Sequence, residues 1–251
     1  MAAFQPQDLG NTAWAFATLG YLDAQLMDAI AAAALNLLHN DASAISPQNL
    51  TNIAWSFATL MVRNSTLFDA IAAKALATLG QFRLQNLSNT AWAFAKLGEC
   101  HEPLFAAIAE AALSRIDEWS TRDCASLAWA FAKLGLRDDQ LLDAISSQAI
   151  RTMPQFSEQS LANLAWAFAM LAVRDLPLLE AIASQALPKL RDCSPHDLAY
   201  LAWAFAQLGV RDEPLLDALS AEVLRRIAEF TVEDLAKTSW SWAVLGGALS
   251  A

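Results

Sequence analysis

A chain of 251 residues, of which 56% are hydrophobic, can bury a core, so its composition excludes intrinsic disorder. Most of the apolar residues are Ala and Leu, which favour helices, and the turn-rich stretches of sheet proteins are scarce, so we expect an all-α fold. The formal net charge of −10 would repel a polyanion at long range and is the main argument against a nucleic-acid partner.

Other classes of site and location also lack support in the sequence. No run of about 18 apolar residues occurs, so we expect no membrane insertion. Cys100, Cys124 and Cys193 are odd in number and widely separated, and we interpret them as small apolar core residues. The three histidines are scattered, and HExxH, CxxC, GxSxG and phosphate-loop motifs do not occur. We therefore expect no enzyme activity, cofactor or metal site in this chain.

The tryptophans mark an internal repeat. They are 41 residues apart once and then 37 residues apart five times: Trp14, Trp55, Trp92, Trp129, Trp166, Trp203 and Trp240. The same letters surround each one, as in NTAWAFATLG and SLAWAFAKLG. Repeats one to seven begin near residues 4, 45, 82, 119, 156, 193 and 230, the last being half a repeat. We expect one domain over residues 1–251, a right-handed α-solenoid of about six and a half 37-residue helix-turn-helix repeats.

Each repeat predicts two helices in succession. The first begins after a hydroxyl that can cap it, at Ser46, Ser120, Ser157, Ser194 and Thr231, with Pro47 and Pro195 at the first helical position. It ends at a glycine, at Gly20, Gly98, Gly135, Gly209 and Gly246. The second helix begins just beyond Asp138, Asp175 or Asp212 and carries an apolar spacing of the type LLDAI.

The first helix has three faces when its residues are placed at 100° intervals from the Trp. Leu, Ile or Phe at positions −5, −2, +2 and +5 relative to the Trp lie opposite it and are predicted to pack on the second helix. Ala or Ser at −1, +1 and +3 would let adjacent first helices approach closely. The third face holds the Trp with positions −7, −3 and +4, and we expect it to be the exposed concave surface. We call it the stripe.

The stripe combines a constant aromatic residue with polar groups that change between repeats. Position −7 holds Gln7, Gln48, Gln85, Arg122, Gln159, His196 and Glu233. Position −3 holds Asn11, Asn52, Asn89, Ser126, Asn163, Tyr200 and Lys237, and position +4 holds Thr18, Thr59, Lys96, Lys133, Met170, Gln207 and Val244. Aromatic faces stack on any base, and side-chain amides and hydroxyls can recognise base edges. The stripe therefore predicts contact with single-stranded RNA.

Two alternatives remain open for these residues. The tryptophans could wedge between repeats as plain core, with the Asn side chains bonded to backbone. In favour of RNA, the stripe carries Arg122, Lys96, Lys133 and Lys237 against Glu233, so its local charge differs from the global one.

A second recurrence places Arg at +8 and an acid at +14. The residues are Arg63 with Asp69, Arg137 with Asp143, Arg174 with Glu180 and Arg211 with Asp217. We interpret these as surface ion pairs within a repeat, each worth under about 1 kcal/mol.

First helices like LANLAWAFAKLG on a 37-residue period resemble the organellar heptatricopeptide repeats and the related octotricopeptide and FAST-kinase-like, RAP-associated repeats. The resemblance covers nearly the whole chain. It implies a helix-pair solenoid of a mitochondrion or chloroplast that binds single-stranded RNA and acts in RNA stability, processing or translation. The alternative is a non-catalytic protein scaffold in a large organellar assembly, such as a ribosome or a photosynthetic complex, because solenoids present extended surfaces to proteins as well.

Overall fold

The structure, a computed structural model, describes residues 5–40 and 45–247. In these residues the regular structure is helical, with no strand, which confirms the all-α class. The predicted start of repeat one near residue 4 lies outside the described residues. The first helices are α1 Pro6–Thr18, α3 Pro47–Thr59, α5 Leu84–Leu97, α7 Thr121–Leu134, α9 Glu158–Met170, α11 Pro195–Gln207 and α13 Val232–Gly247. The second helices are α2 Ala24–Asn40, α4 Ser65–Thr78, α6 Glu102–Leu113, α8 Asp139–Thr152, α10 Leu176–Ala186 and α12 Glu213–Arg225.

The first helices begin at the predicted caps. The hydroxyls of Ser46, Ser120, Ser157, Ser194 and Thr231 each accept a hydrogen bond from the backbone N–H three residues on. At Ser120 the Asp123 carboxylate also accepts a hydrogen bond from the Ser120 backbone N–H, which completes a capping box. A cap of this kind stabilises a helix by about 1 kcal/mol. The start of each first helix is therefore determined by local sequence.

The ends of the first helices confirm four of the five predicted glycine caps. Gly20, Gly98, Gly135 and Gly209 have φ between 62° and 75°, the left-handed region that glycine tolerates. Gly246 was predicted wrongly, because it lies inside α13, which continues to Gly247. Met61 and Ala172 occupy the same left-handed position in repeats two and five, with φ of 56° and 54°.

The second helices begin where the aspartates predicted. The carboxylates of Asp138, Asp175 and Asp212 accept bonds of 2.9–3.0 Å from the N–H groups of Leu141, Leu178 and Leu215. Asp23 and Asn64 cap α2 and α4 in the same way, and the His101 ring does so for α6. These side chains were not predicted as caps, although they follow the first helix at a similar distance.

Two compact units divide the chain, Met1–Glu118 and Trp119–Ala251. In the first, α1, α3 and α5 pack side by side, and α2, α4 and α6 form a second row. In the second, α7, α9, α11 and α13 form one row, and α8, α10 and α12 the other. Each unit is therefore a stack of helix pairs of the solenoid kind. A single right-handed domain over 1–251 stays a prediction.

The faces of the first helices pack as predicted. Phe57 and Phe94 at position +2 are buried, and Phe94 meets Phe68 of α4 edge to face at 4.8 Å between ring centroids. Burying a Phe side chain contributes about 2–3 kcal/mol. Ala54 and Ala91 at position −1 are fully buried between neighbouring first helices. Small residues thus bring the first helices close together and set the spacing of the stripe.

In repeats three to six, a polar side chain near the end of the second helix donates a hydrogen bond to a backbone carbonyl at the start of the same repeat. Arg115 donates from Nη1 to the Phe82 carbonyl at 3.0 Å, and Arg226 donates to the Cys193 carbonyl at 2.7 Å. Lys189 makes the same bond to Phe156, and Gln148 makes it to the Trp119 carbonyl at 3.3 Å. We call this bond the clasp.

Candidate functional site

The structure places the stripe on one side of the first helices. At position −7 the side chains are all exposed, and at −3 they are half-buried except for Asn11, which is exposed. At +4 all are exposed except Thr59, which is half-buried. The predicted stripe side chains that are exposed or half-buried in the first unit are Gln7, Asn11, Gln48, Asn52, Gln85, Asn89 and Lys96, and those in the second unit are Arg122, Ser126, Lys133, Gln159, Asn163, His196, Tyr200 and Lys237.

The tryptophans form pairs between neighbouring repeats rather than free platforms. Trp55 stacks on Trp92 with ring centroids 6.4 Å apart, Trp129 lies 6.1 Å from Trp166, and Trp203 lies 6.4 Å from Trp240. Contacts at these distances are favourable offset arrangements. The indole faces therefore contribute to packing between repeats, as the alternative interpretation proposed.

Exposure of the tryptophans varies along the chain. Trp166 is only 7% exposed, whereas Trp14 is 48% exposed and Trp240 42%. Trp55, Trp92, Trp129 and Trp203 are half-buried. Of this row, Trp14 and Trp240 offer the largest exposed aromatic surface.

Two amides of the stripe are held in place by hydrogen bonds. Gln48 donates from Nε2 to Asn52 Oδ1 at 2.8 Å, and Asn86 donates from Nδ2 to Gln48 Oε1 at 3.1 Å. Asn52 uses its oxygen in this pair, so its amide N–H groups keep their capacity to donate. Asn86 was missed by the sequence analysis, because position −6 was not included in the stripe. A polar residue recurs at −6 in every repeat, which is the pattern that could have revealed it.

In repeat six the stripe is aromatic. Tyr200 stacks on Trp166 with centroids 5.5 Å apart and planes 13° apart, and His196 lies against Tyr200 at 4.1 Å. His196 Nδ1 is 3.0 Å from Oδ1 of the buried Asp234 carboxylate, which is again a −6 residue. Lys237 lies 5.6 Å from the centre of the Tyr200 ring.

Burial and neighbouring charges shift the pKa values of Tyr200 and Asp234. Burial raises the pKa of the Tyr200 phenol, and the charges of Glu233, Asp234 and Asp197 raise it further. Burial also opposes ionisation of Asp234, but hydrogen bonds from Thr231 and His196 outweigh it and lower its pKa. Asp234 is therefore ionised at neutral pH and accepts from His196.

The cations of the stripe fall into two groups. Lys237 is paired with Glu233 one turn earlier, so its charge is largely neutralised. Lys96, Arg122 and Lys133 are exposed and make no ion pair within the described residues. Those three side chains are available to phosphates.

The predicted +8/+14 ion pairs are corrected by the structure. Arg137 pairs with Asp139 at 2.7 Å and Arg211 with Glu213 at 2.8 Å, each two residues on, rather than with Asp143 and Asp217. The nearer acid lies in the first turn of the second helix, within reach of the Arg in the preceding loop. These pairs are exposed and contribute little to stability.

The cysteines differ from their predicted role in one case. Cys124 and Cys193 are buried, and burial raises the pKa of each thiol to about 12. Cys100 is exposed, so its assignment to the core was wrong. It lies in the loop before α6, where no helix packs over it.

The described residues contain neither a metal-binding cluster nor a membrane-spanning helix. Over 5–40 and 45–247, the His, Cys, Asp and Glu side chains form no cluster of three or more that could hold a metal ion. None of the helices described there has the length and apolar character needed to cross a membrane.

Comparison with known proteins identifies the family. A family model described as RNA-editing substrate-binding complex 6 protein matches residues 8–246, nearly the whole chain. No curated protein sequence matches the chain. The matching family is not the heptatricopeptide, octotricopeptide or FAST-kinase-like family that the repeat resembles, which corrects that expectation, although a helical repeat is compatible with both. The chain belongs to the family of RNA-editing substrate-binding complex 6 proteins.

Proposed function

We propose that this chain is a non-catalytic subunit of an RNA-editing substrate-binding complex and that it contacts single-stranded RNA through the stripe. The family description supports an RNA-associated role. The observation that carries the proposal is a series of stripe positions with exposed Gln or Asn side chains in repeats one to three, five and six, and with the unpaired cations Lys96, Arg122 and Lys133 in repeats three and four. Amide groups recognise base edges, and the cations contact phosphates without regard to sequence.

The proposed place of action is the mitochondrion, where RNA-editing complexes of this family act. The chloroplast alternative has no support from the family match.

The first test is a set of variants measured against a labelled pool of random single-stranded RNA. Replacing Asn52, Asn89 and Asn163 by Ala removes base-edge donors while leaving charge unchanged. We expect weaker binding of the sequences selected by the wild-type chain, by about tenfold, and little change for the unselected pool. Loss of about 1–3 kcal/mol is typical where a base-reading side chain is removed.

A matched pair of charge variants tests the position of the surface. Arg122→Ala removes a stripe cation, whereas Arg151→Ala removes an exposed cation from the second helix α8. Only the first should weaken binding and reduce the salt dependence. If both variants weaken RNA binding equally, the RNA does not bind at the stripe. If the chain binds no RNA even at low salt, the proposal is wrong.

A protein-scaffold role has one observation in its favour. Leu224 and Ile227, at and after the end of α12, are 69% and 50% exposed and line one surface pocket together with Val223 and Trp242, so apolar side chains are exposed side by side there. If the chain binds no RNA, contact with another protein becomes the better account of this family member.

A further inference from the structure

A continuous series of ring contacts runs through repeats four to six and ends at the surface. Trp129 contacts Trp166, Trp166 stacks on Tyr200, and Tyr200 contacts His196, with centroid distances of 6.1, 5.5 and 4.1 Å. We call these four residues the aromatic run. Its inner member Trp166 is buried, whereas the His196 side chain is 52% exposed. His196 is therefore the most exposed ring of the run, whereas Trp129 and Tyr200 are half-buried.

A hydrogen bond to a buried carboxylate orients the exposed ring. Asp234 Oδ1 lies 3.0 Å from His196 Nδ1, and because the ionised carboxylate can only accept, Nδ1–H donates to it. Tyr200 contacts the imidazole in a tilted arrangement, with 45° between the ring planes. A ring that is already oriented loses little conformational freedom when a ligand stacks on it.

We propose that His196 is a base-stacking site, and that an unpaired purine of single-stranded RNA stacks on its exposed face. This inference rests on the proposed RNA-binding function and names its strongest point of base contact. A purine offers a larger stacking surface than a pyrimidine, so it is the base expected at this site. No other repeat has aromatic side chains at both −7 and −3.

The charges around His196 favour a base over a phosphate. Glu233 and Asp234 on α13 and Asp197 on α11 are acidic, and Lys237 is paired with Glu233. A phosphate would be repelled here, so stacking must supply the affinity of this site. Its contribution should depend weakly on salt, in contrast to that of Arg122.

The experiment compares ten-nucleotide oligo(A), oligo(U) and an abasic ribose-phosphate strand of the same length by fluorescence anisotropy. Stacking on one aromatic side chain corresponds to about a fivefold to 150-fold change in affinity. We expect His196→Ala to weaken oligo(A) binding within that range with an unchanged salt slope, and His196→Phe to stay within about threefold of wild type. Gln140→Ala, which removes an exposed side chain of the second helix α8 outside the stripe, is the control and should bind as the wild-type chain does, with circular dichroism confirming the fold of each variant.

A second readout follows the His196 ring directly by NMR. Its Cε1–H resonance should move upfield on addition of oligo(A) and stay in place on addition of the abasic strand, because a base ring current is needed. If oligo(A) binds but neither the resonance nor the affinity of His196→Ala changes, the stacking site is wrong and the RNA-binding function stands. If the wild-type chain binds none of the strands, both fail.

Discussion

The turn after six of the first helices contains a residue with left-handed backbone conformation, which is either a glycine or a residue with a side chain. Four repeats place glycine there, whereas Ala172 and Met61 adopt the same conformation with a Cβ atom. A left-handed L-residue costs roughly 1–2 kcal/mol, and glycine loses about 0.5–1 kcal/mol through its freedom in the unfolded chain. The strain exceeds the entropic cost, so these two positions are destabilised relative to a glycine.

We therefore expect Ala172→Gly to stabilise the chain by about 0.5–1 kcal/mol. Gly135→Ala is the reciprocal control, because nothing lies within 4 Å of a Cβ added at Gly135 and any loss comes from the backbone alone. Urea unfolding at constant m-value measures both changes. A destabilised Ala172→Gly would show that the Ala172 side chain makes a contact that outweighs its strain.

At the scale of the helix, the sequence predicted most starts and ends because they depend on neighbouring residues. Ser120 and Asp138 cap helices through groups three residues away, and such patterns can be read from the chain alone. Gly246 failed as a stop because a glycine in a helix is tolerated at a modest cost. The clasp could not be predicted, since Arg226 and Cys193 meet only after the helix pair has folded.

The same limit applies to the candidate site. Helical periodicity predicted which side chains share the stripe, because a 100° rotation per residue places −7, −3 and +4 together. It gave no information on contacts between repeats, so the stacking of Trp55 on Trp92 and the link from His196 to Asp234 appear only in the structure.

Because Arg226 makes the clasp, we expect it to contribute more to the free energy of unfolding than its neighbour Arg225. Arg226 is 14% exposed, donates to the Cys193 carbonyl and pairs with Glu229, whereas the 59%-exposed Arg225 pairs with Glu222. Removing Arg226 leaves a carbonyl without its charged donor, at a cost of about 1–3 kcal/mol. Removing Arg225 costs less, because the buried Glu222 carboxylate keeps Arg226 as a partner at 3.7 Å. Arg226→Ala should therefore lower the urea midpoint clearly more than Arg225→Ala. Equal midpoints would mean that the clasp adds nothing to stability.

For the whole molecule, charge limits how RNA can bind. A net charge of −10 repels the phosphate backbone, and attraction is confined to places where cations stand unpaired. On the stripe these are Lys96, Arg122 and Lys133. At most three phosphates are then neutralised, and each contributes about −0.7 to the slope of log K against log salt for a single strand.

The proposed surface therefore predicts a shallow salt dependence, with a slope of about −2 for the wild-type chain. Anisotropy titrations between 50 and 200 mM salt measure this slope directly. Over that range the affinity of strongly electrostatic complexes falls by several orders of magnitude. Arg122→Ala should reduce the slope by about 0.7, and His196→Ala should leave it unchanged. A slope near −5 would require cations outside the stripe and would contradict the proposed surface, because the stripe does not hold enough unpaired charge to produce it.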